Sequence, residues 1–348
     1  MNRILIYGAN GYTGGLIAEE AVKRGMKPIL AGRNRDALEM LAQRLKLTRR
    51  VFELTDAAEV ARNLEGVELL LNCAGPFAHT CEPLLEACLA RKIHYLDITG
   101  EIDVFALCHH AHNQARHQNV VVAPGVGFDV VPTDCLAAML KQRLPDATEL
   151  VLAFEAGGGP SPGTARTSIE GLAKGGRVRR NGELVDVALA WKVREFERDG
   201  TRRSAMTIPW GDVYTAFVST GIPNIETYMV ASPKTIARMR WMRYVQPLLR
   251  FDALRKFLET RAVAQARGPD AERRRATGCH VWGEARNAAG REAKLALKTP
   301  NGYTLTVDAA LGIVGHVLET KPQGGYYTPS QLVGADYVLA LPGVSLVE

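Results

Sequence analysis

Arg3-Ile4-Leu5-Ile6-Tyr7 is an apolar strand that runs straight into Gly8, Gly11 and Gly14, and a helix-compatible stretch from Leu16 to Arg24 follows. Few folds accommodate that order. The first glycine permits a tight turn at the strand end, the second lets backbone approach a bound group, and the third lets the helix pack on the sheet. The helix N-terminus then points unpaired amides at an anion, which is what a dinucleotide pyrophosphate requires. The spacing is G-x-x-G-x-x-G rather than G-x-G-x-x-G, so the flanking strand and helix carry much of the inference. Gly8, Asn10, Gly11, Tyr12, Thr13 and Gly14 are the expected phosphate-side residues.

One βα unit downstream, the strand Pro28-Ile29-Leu30-Ala31 ends in Gly32-Arg33-Asn34-Arg35. An NAD-preferring unit carries Asp or Glu here to bind the ribose 2′-hydroxyl. This chain has no acid there, and Arg33 stands where a guanidinium could grip a 2′-phosphate. The expected cofactor is therefore NADP, with Arg33 and Asn34 on its adenosine side. Arg33 and Arg35 would otherwise be solvated charges at a helix start. Asp56, just after the third strand, can meet the adenine or cap the next helix.

Strands are predicted at 2–7, 28–31, 50–54, 67–73, 93–97 and 119–123, with helices near 14–24, 35–45, 57–63, 80–91 and 102–117. That alternation is an α/β fold, a Rossmann doubly wound parallel sheet binding ligand at the carboxyl ends of its strands. Beyond Pro124 the pattern changes. A helix near Thr133, hairpin signals at Asn181-Gly182 and Asp199-Gly200, and strands near 225–231, 276–287 and 291–299 read as a second α+β domain on a largely antiparallel sheet. Helices are expected over about 306–319 and 330–340. The predicted division is a nucleotide domain over 1–124, a substrate or dimerisation domain over 125–320, and a tail over 321–348 returning to the first.

At 348 residues the chain has room for two domains. No apolar run reaches the length of a membrane span, and a strand begins almost at once, leaving no signal peptide. Six cysteines without C-x-x-C spacing read as reduced thiols, so the expected location is cytoplasmic. From Lys234 to Arg261 eight Lys or Arg stand against Asp252 and Glu259, a balance equal to the formal net charge of +6 for the whole chain. Trp241, Tyr244, Leu248, Phe251, Leu254 and Phe257 interleave them, so the segment reads as one or two amphipathic helices broken near Pro247. Such a segment can lie on an anionic membrane or bury its apolar side, and burial is the expectation. No nucleic-acid partner is expected. His109 and His112 share a helix face but lack convergent ligands, so no metal site is expected.

Further segments carry a resemblance. Asn72-Cys73-Ala74-Gly75-Pro76-Phe77, Tyr95-Leu96-Asp97-Ile98-Thr99-Gly100-Glu101 and Pro124-Gly125-Val126-Gly127-Phe128-Asp129-Val130-Val131-Pro132-Thr133-Asp134, with the glycine loop, Ala31-Gly32-Arg33-Asn34, Pro209-Trp210-Gly211-Asp212 and Ser219-Thr220-Gly221-Ile222-Pro223-Asn224, resemble the saccharopine dehydrogenase-like superfamily, which includes trans-acting enoyl reductases. The resemblance implies an NADP(H)-dependent oxidoreductase. The loop holding Cys73, Ala74, Gly75, Pro76 and Phe77 follows the fourth strand, where small residues can pass beneath a cofactor. Asp97, Glu101 and Asp129 are the candidate proton donors, although Asp97 can equally anchor a strand end by hydrogen bonding.

The function expected is hydride transfer to or from a polarised C=C or C=N bond of a small-molecule substrate held in an interdomain cleft, by a homodimer. A saccharopine-type amino-acid dehydrogenase would instead need a cationic cleft, with Arg166, Arg177, Arg179 or Arg180 lining it. A sensor or scaffold that binds NADP without turnover is the rival outside the enzymes.

Overall fold

The computed structural model describes residues 3–347. Contacts divide the chain into two units: the chain through Asp129 with Tyr303–Val333, and Val130–Gly302 with the chain from Gly334 onward.

The first unit is a parallel sheet of β1 (Ile4–Tyr7), β2 (Ile29–Gly32), β3 (Arg49–Val51), β4 (Leu69–Asn72), β5 (His94–Asp97) and β6 (Val121–Ala123). A short strand, Gly325–Tyr326, extends it beyond β6, and the order reads 325–326, β6, β5, β4, β1, β2, β3. β1 lies between β2 and β4, with Leu5 opposite both Ile29 and Leu70. Strands covered on both faces need continuous apolar runs, and every residue of β1, β2 and β4 is buried. The order reverses direction at β1 and β4, and the loops after these two strands, at their carboxyl ends, carry the ligands of open α/β sheets. The sheet is the expected one. Of the strand predicted at 2–7, position 2 lies outside the described residues.

Two boundaries differ from the sequence-based ones. The helix Gly302–Thr320 belongs, from Tyr303 on, to the first unit, where Asp308 pairs with Arg24, the Tyr303 ring meets Tyr12 and Thr306 Oγ1 accepts from Phe128 N. The chain returns to the first unit only as far as Val333. Beyond it, Ser345–Val347 pairs with a strand of the second sheet. The single helix expected over 102–117 is two, Ile102–His110 and His112–Gln118.

The second unit holds β7 (Ala147–Glu155), β8 (Gly176–Arg180), β9 (Glu183–Val187), β10 (Val193–Arg198), β11 (Thr201–Thr207), β12 (Asn224–Val230), β13 (Gly278–Asn287) and β14 (Glu292–Pro300). Its sheet runs β10, β11, β12, β7, β13, β14, then 345–347, and only the β12–β7 pair is parallel. Asn181-Gly182 and Asp199-Gly200 turn the β8–β9 and β10–β11 hairpins, each pair with both residues at positive φ. Phe196, Tyr228 and Trp282 form an aromatic core on one face. On the other, Gly283 leaves room for Leu136 and Leu140 of the helix Val131–Arg143.

The basic segment forms the helices Pro233–Val245 and Asp252–Gln265, joined by a tight turn of helix at Gln246–Arg250. Its apolar side was expected to be buried. Ile236 and Leu249 are, but Trp241, Tyr244, Leu248, Phe251, Leu254 and Phe257 are exposed.

Candidate functional site

The loop after β1 is built by what its glycines lack. A side chain on Gly14 would place Cβ 2.3 Å from Gly8 O and 3.0 Å from Ala9 Cα, so the helix could not sit so close to the strand. Gly8 has φ +78°, and its Cβ would lie 2.8 Å from the Ala74 backbone nitrogen. The carbonyl of Ala31 accepts from both Gly8 N and Ala9 N, which fastens the loop to β2. Helix Tyr12–Lys23 then begins at Gly11, whose lack of a side chain leaves the first-turn amides without an N-cap acceptor. A concavity of backbone that any Cβ would fill, at an uncapped helix N-terminus, fits a dinucleotide pyrophosphate. The Tyr12 ring meets Tyr303 edge-on, centroids 4.9 Å apart, an aromatic pair closed by residues remote in sequence.

At the end of β2, Gly32 keeps clear of Asn10, whose Oδ1 would lie 2.9 Å from an added Cβ. Arg33 is exposed beside it, with no carboxylate at the end of β2, and this composition suits a 2′-phosphate. Asn34 and Asp56 are engaged elsewhere. Asn34 Oδ1 accepts from Ala37 N at 3.1 Å and Asp56 Oδ1 from Ala58 N at 2.8 Å, so each side chain caps a helix.

The loop after β4 is fixed by polar side chains instead. Asn72 is buried: its Oδ1 accepts from Ala74 N at 3.0 Å, and its Nδ2 donates to Thr80 Oγ1 and Tyr95 Oη. Thr80 Oγ1 donates to Ala74 O at 2.7 Å. Glu101 closes the far side of the loop, with Phe77 N donating to one carboxylate oxygen at 2.8 Å and Ala78 N to the other at 2.9 Å. Glu101 is itself placed by Thr99, whose Oγ1 accepts from Glu101 N at 3.0 Å. Thr99 N in turn donates to Asp97 Oδ1, which also accepts from Gly125 N, while Tyr95 Oη donates to Asp97 Oδ2 at 2.9 Å. One chain of hydrogen bonds therefore joins the loops after β4, β5 and β6.

This network settles what the acids can do locally. Asp97 is wholly buried and holds three donors, the arrangement of a strand-end anchor. Burial pushes its carboxyl up to about 7 against the pull of those hydrogen bonds. Glu101 spends its two oxygens on loop amides. Asp129 lies against Gly100, with Oδ2 3.2 Å from where a Gly100 Cβ would stand. Desolvation, and then the charge of Glu101, push Asp129 up to about 7. Phe128 N beside it donates to Thr306 Oγ1 at 3.0 Å. Cys73 follows β4 directly, and burial followed by the charge of Asp97 pushes its thiol up, which favours the protonated form.

Helices Cys81–Arg91 and Ile102–His110 bring Cys81 Sγ within 3.5 Å of Cys108 Sγ, and both lie with an Asp97 oxygen inside 4.8 Å of one another. Twenty-seven residues separate these cysteines, so no spacing rule finds the cluster. His109 and His112 both engage the edge strand. His109 stacks on Tyr326 with centroids 4.7 Å apart, and His112 Nδ1 accepts from Tyr326 N, fastening the edge strand. Three of the four arginines of the amino-acid dehydrogenase reading serve the second unit internally. Arg177 pairs with Asp186 and Arg180 with Glu226, while Arg179 is buried, donating to Val213 O and Gly182 O.

Asn72, Thr80, Thr99, Tyr303 and Thr306 were not expected among these residues. Asn72 and Thr99 fall inside segments that carry the resemblance, and polar residues at the end of an otherwise apolar strand are the signal that marks them. Tyr303 and Thr306 arrive from a distant helix and leave no local trace.

Residues 4–124 match the family model described as the saccharopine dehydrogenase NADP binding domain. Over these residues, about a third of the chain, the sequence is similar to that family. A saccharopine dehydrogenase-like oxidoreductase of Rattus norvegicus is 24% identical over 204 residues, which are 51% of this chain and 48% of the relative. A relative from Mycobacterium tuberculosis, named as a trans-acting enoyl reductase, is 28% identical over 192 residues, 49% of this chain and 44% of its own. The chain is thus matched to just under half the length of these curated relatives. Saccharopine dehydrogenase (L-Glu forming) of Saccharomyces cerevisiae superposes with a TM-score of 0.66 over 100% of both chains at 9% identity, which shows a common fold. Among the described residues no helix is long and apolar enough to cross a membrane.

Proposed function

We propose that the protein is an NADP(H)-dependent oxidoreductase acting on a polarised C=C or C=N bond of a small-molecule substrate. The observation that carries this reading is the side-chain-free cradle at Gly8, Gly11 and Gly14 beside an exposed Arg33 with no acid at the end of β2. When bound, NADPH supplies the hydride that such a reduction requires. The first-turn amides of helix Tyr12–Lys23 hold the pyrophosphate and Arg33 holds the 2′-phosphate. Glu101 positions the 73–78 loop that passes beneath the cofactor, and Asp97 positions Glu101 through Thr99. Asp129, which keeps its proton up to about pH 7, is the proton donor of the cluster. The occupied arginines of the second unit weigh against a substrate with several carboxylates. Catalysis in the cytoplasm by a homodimer belongs to the same reading.

Titration calorimetry with NADPH and NADH tests the cofactor half. NADPH is expected to bind at least tenfold tighter, and Arg33→Asp to reverse the order, as loss of a charge-assisted contact of about 1.5–3 kcal/mol requires. Equal affinities in the wild type would remove the assignment of Arg33. NADPH oxidation with enoyl thioesters and imino acids tests the chemistry. Tight NADPH binding with no turnover of any of them would leave a sensor in place of an enzyme.

A further inference from the structure

We infer that the helix pair Pro233–Val245 and Asp252–Gln265 docks this protein on an anionic lipid surface. Trp241 is 61% exposed, Tyr244 81%, Phe251 54% and Phe257 55%, a density of solvent-facing aromatics unlike that of any other segment of the described chain. Trp241 and Tyr244 stand three residues apart and so share a face of the first helix, Leu248 follows them in the tight turn, and Leu254 and Phe257 share a face of the second helix. Lys234, Arg238, Arg240, Lys256 and Arg261 are exposed among them.

Other demands on these helices are already met. Arg243 donates to Leu189 O and Ala190 O, Ile236 and Leu249 are buried, and Arg255 pairs with Glu259, so these contacts anchor the segment while Trp241, Tyr244 and Phe257 stay exposed. Exposed apolar groups of this size, rimmed by cations, mark an interaction surface. Charge selects its occupant. A second copy would bring an equal excess of Lys and Arg against this one, and like charges across an interface repel. An anionic bilayer is complementary twice over: its headgroups attract the Lys and Arg, and its interfacial layer takes Trp and Tyr rings, whose bodies are apolar and whose edges are polar. No spanning helix is needed, since such an element lies in the plane of the interface.

Vesicle flotation with the full chain tests this. Wild-type protein is expected to float with vesicles of phosphatidylcholine and phosphatidylglycerol, to stay behind with phosphatidylcholine alone, and to be released by salt. Trp241→Ser with Tyr244→Ser, and separately Lys234→Gln with Arg238→Gln, Arg240→Gln and Lys256→Gln, should each lower the bound fraction about tenfold or more. Unchanged NADPH affinity and Tm show that both variants are folded. No binding to either vesicle, or equal binding to both, overturns the inference. So does retention on duplex DNA as strong as on the anionic vesicles, or a dimer in sedimentation equilibrium that the same substitutions dissolve without any vesicle binding.

Discussion

Two loops at the carboxyl ends of one sheet are held in place by opposite means. The loop after β1 takes its shape from absent side chains: Gly14 and Gly8 let backbone lie where a single methyl group would collide with Gly8 O or Ala74. The loop after β4 takes its shape from polar side chains that reach back to it, Asn72 from the strand beneath and Glu101 from the next connection. Steric permission is a property of one residue at a time, and so it can be read one residue at a time. A hydrogen-bonded frame is a property of partners dozens of positions apart.

The contrast makes predictions of decreasing size. Gly14→Ala should weaken NADPH binding by about tenfold to a hundredfold in calorimetry, since the new Cβ overlaps backbone and forces the helix off the strand. Wild-type affinity in that variant would mean that the first loop is not defined by its missing side chains. Glu101→Gln should cost about 1–3 kcal/mol in denaturant unfolding, because the amide nitrogen faces a backbone N–H that lost its acceptor. An unchanged midpoint would mean that the second loop does not need its frame.

The smallest effect is one of pH. Asp97 and Asp129 keep their protons in the folded chain up to about pH 7, whereas unfolded aspartate loses its proton near pH 4. Between these values the folded state binds more protons than the unfolded one. This contribution to stability is therefore complete below about pH 4 and lost as pH rises through 7. Asp129→Asn should flatten that decline, with a Tm gain of a few degrees at pH 8 and little gain at pH 5. A Tm difference that does not depend on pH would exclude Asp129 as the titrating group.

What was legible follows the same division. The parallel strands of the first sheet, the glycine turn and the hairpins at Asn181-Gly182 and Asp199-Gly200 were all expected, because periodicity and positive φ are local demands. The carboxylates Asp97, Glu101 and Asp129 were singled out, but their separate duties could not be, since each depends on which amides converge on it. Asn34 and Asp56 show the reverse problem: the positions expected to meet a nucleotide are also helix N-caps, and one oxygen of each side chain caps its helix. The exposed aromatics of 241–257 were misjudged because amphipathic spacing fixes a common face without saying what meets it.

The first unit is not finished when its own consecutive sequence ends. Its outermost strand, Gly325–Tyr326, and the helix that supplies Thr306 and Tyr303 emerge from the ribosome only after the whole of residues 130–302. Vectorial synthesis therefore leaves β6 an open edge, and an apolar flank uncovered, throughout translation of the second unit. A nascent chain arrested before residue 303 should be bound by chaperones where the completed protein is not.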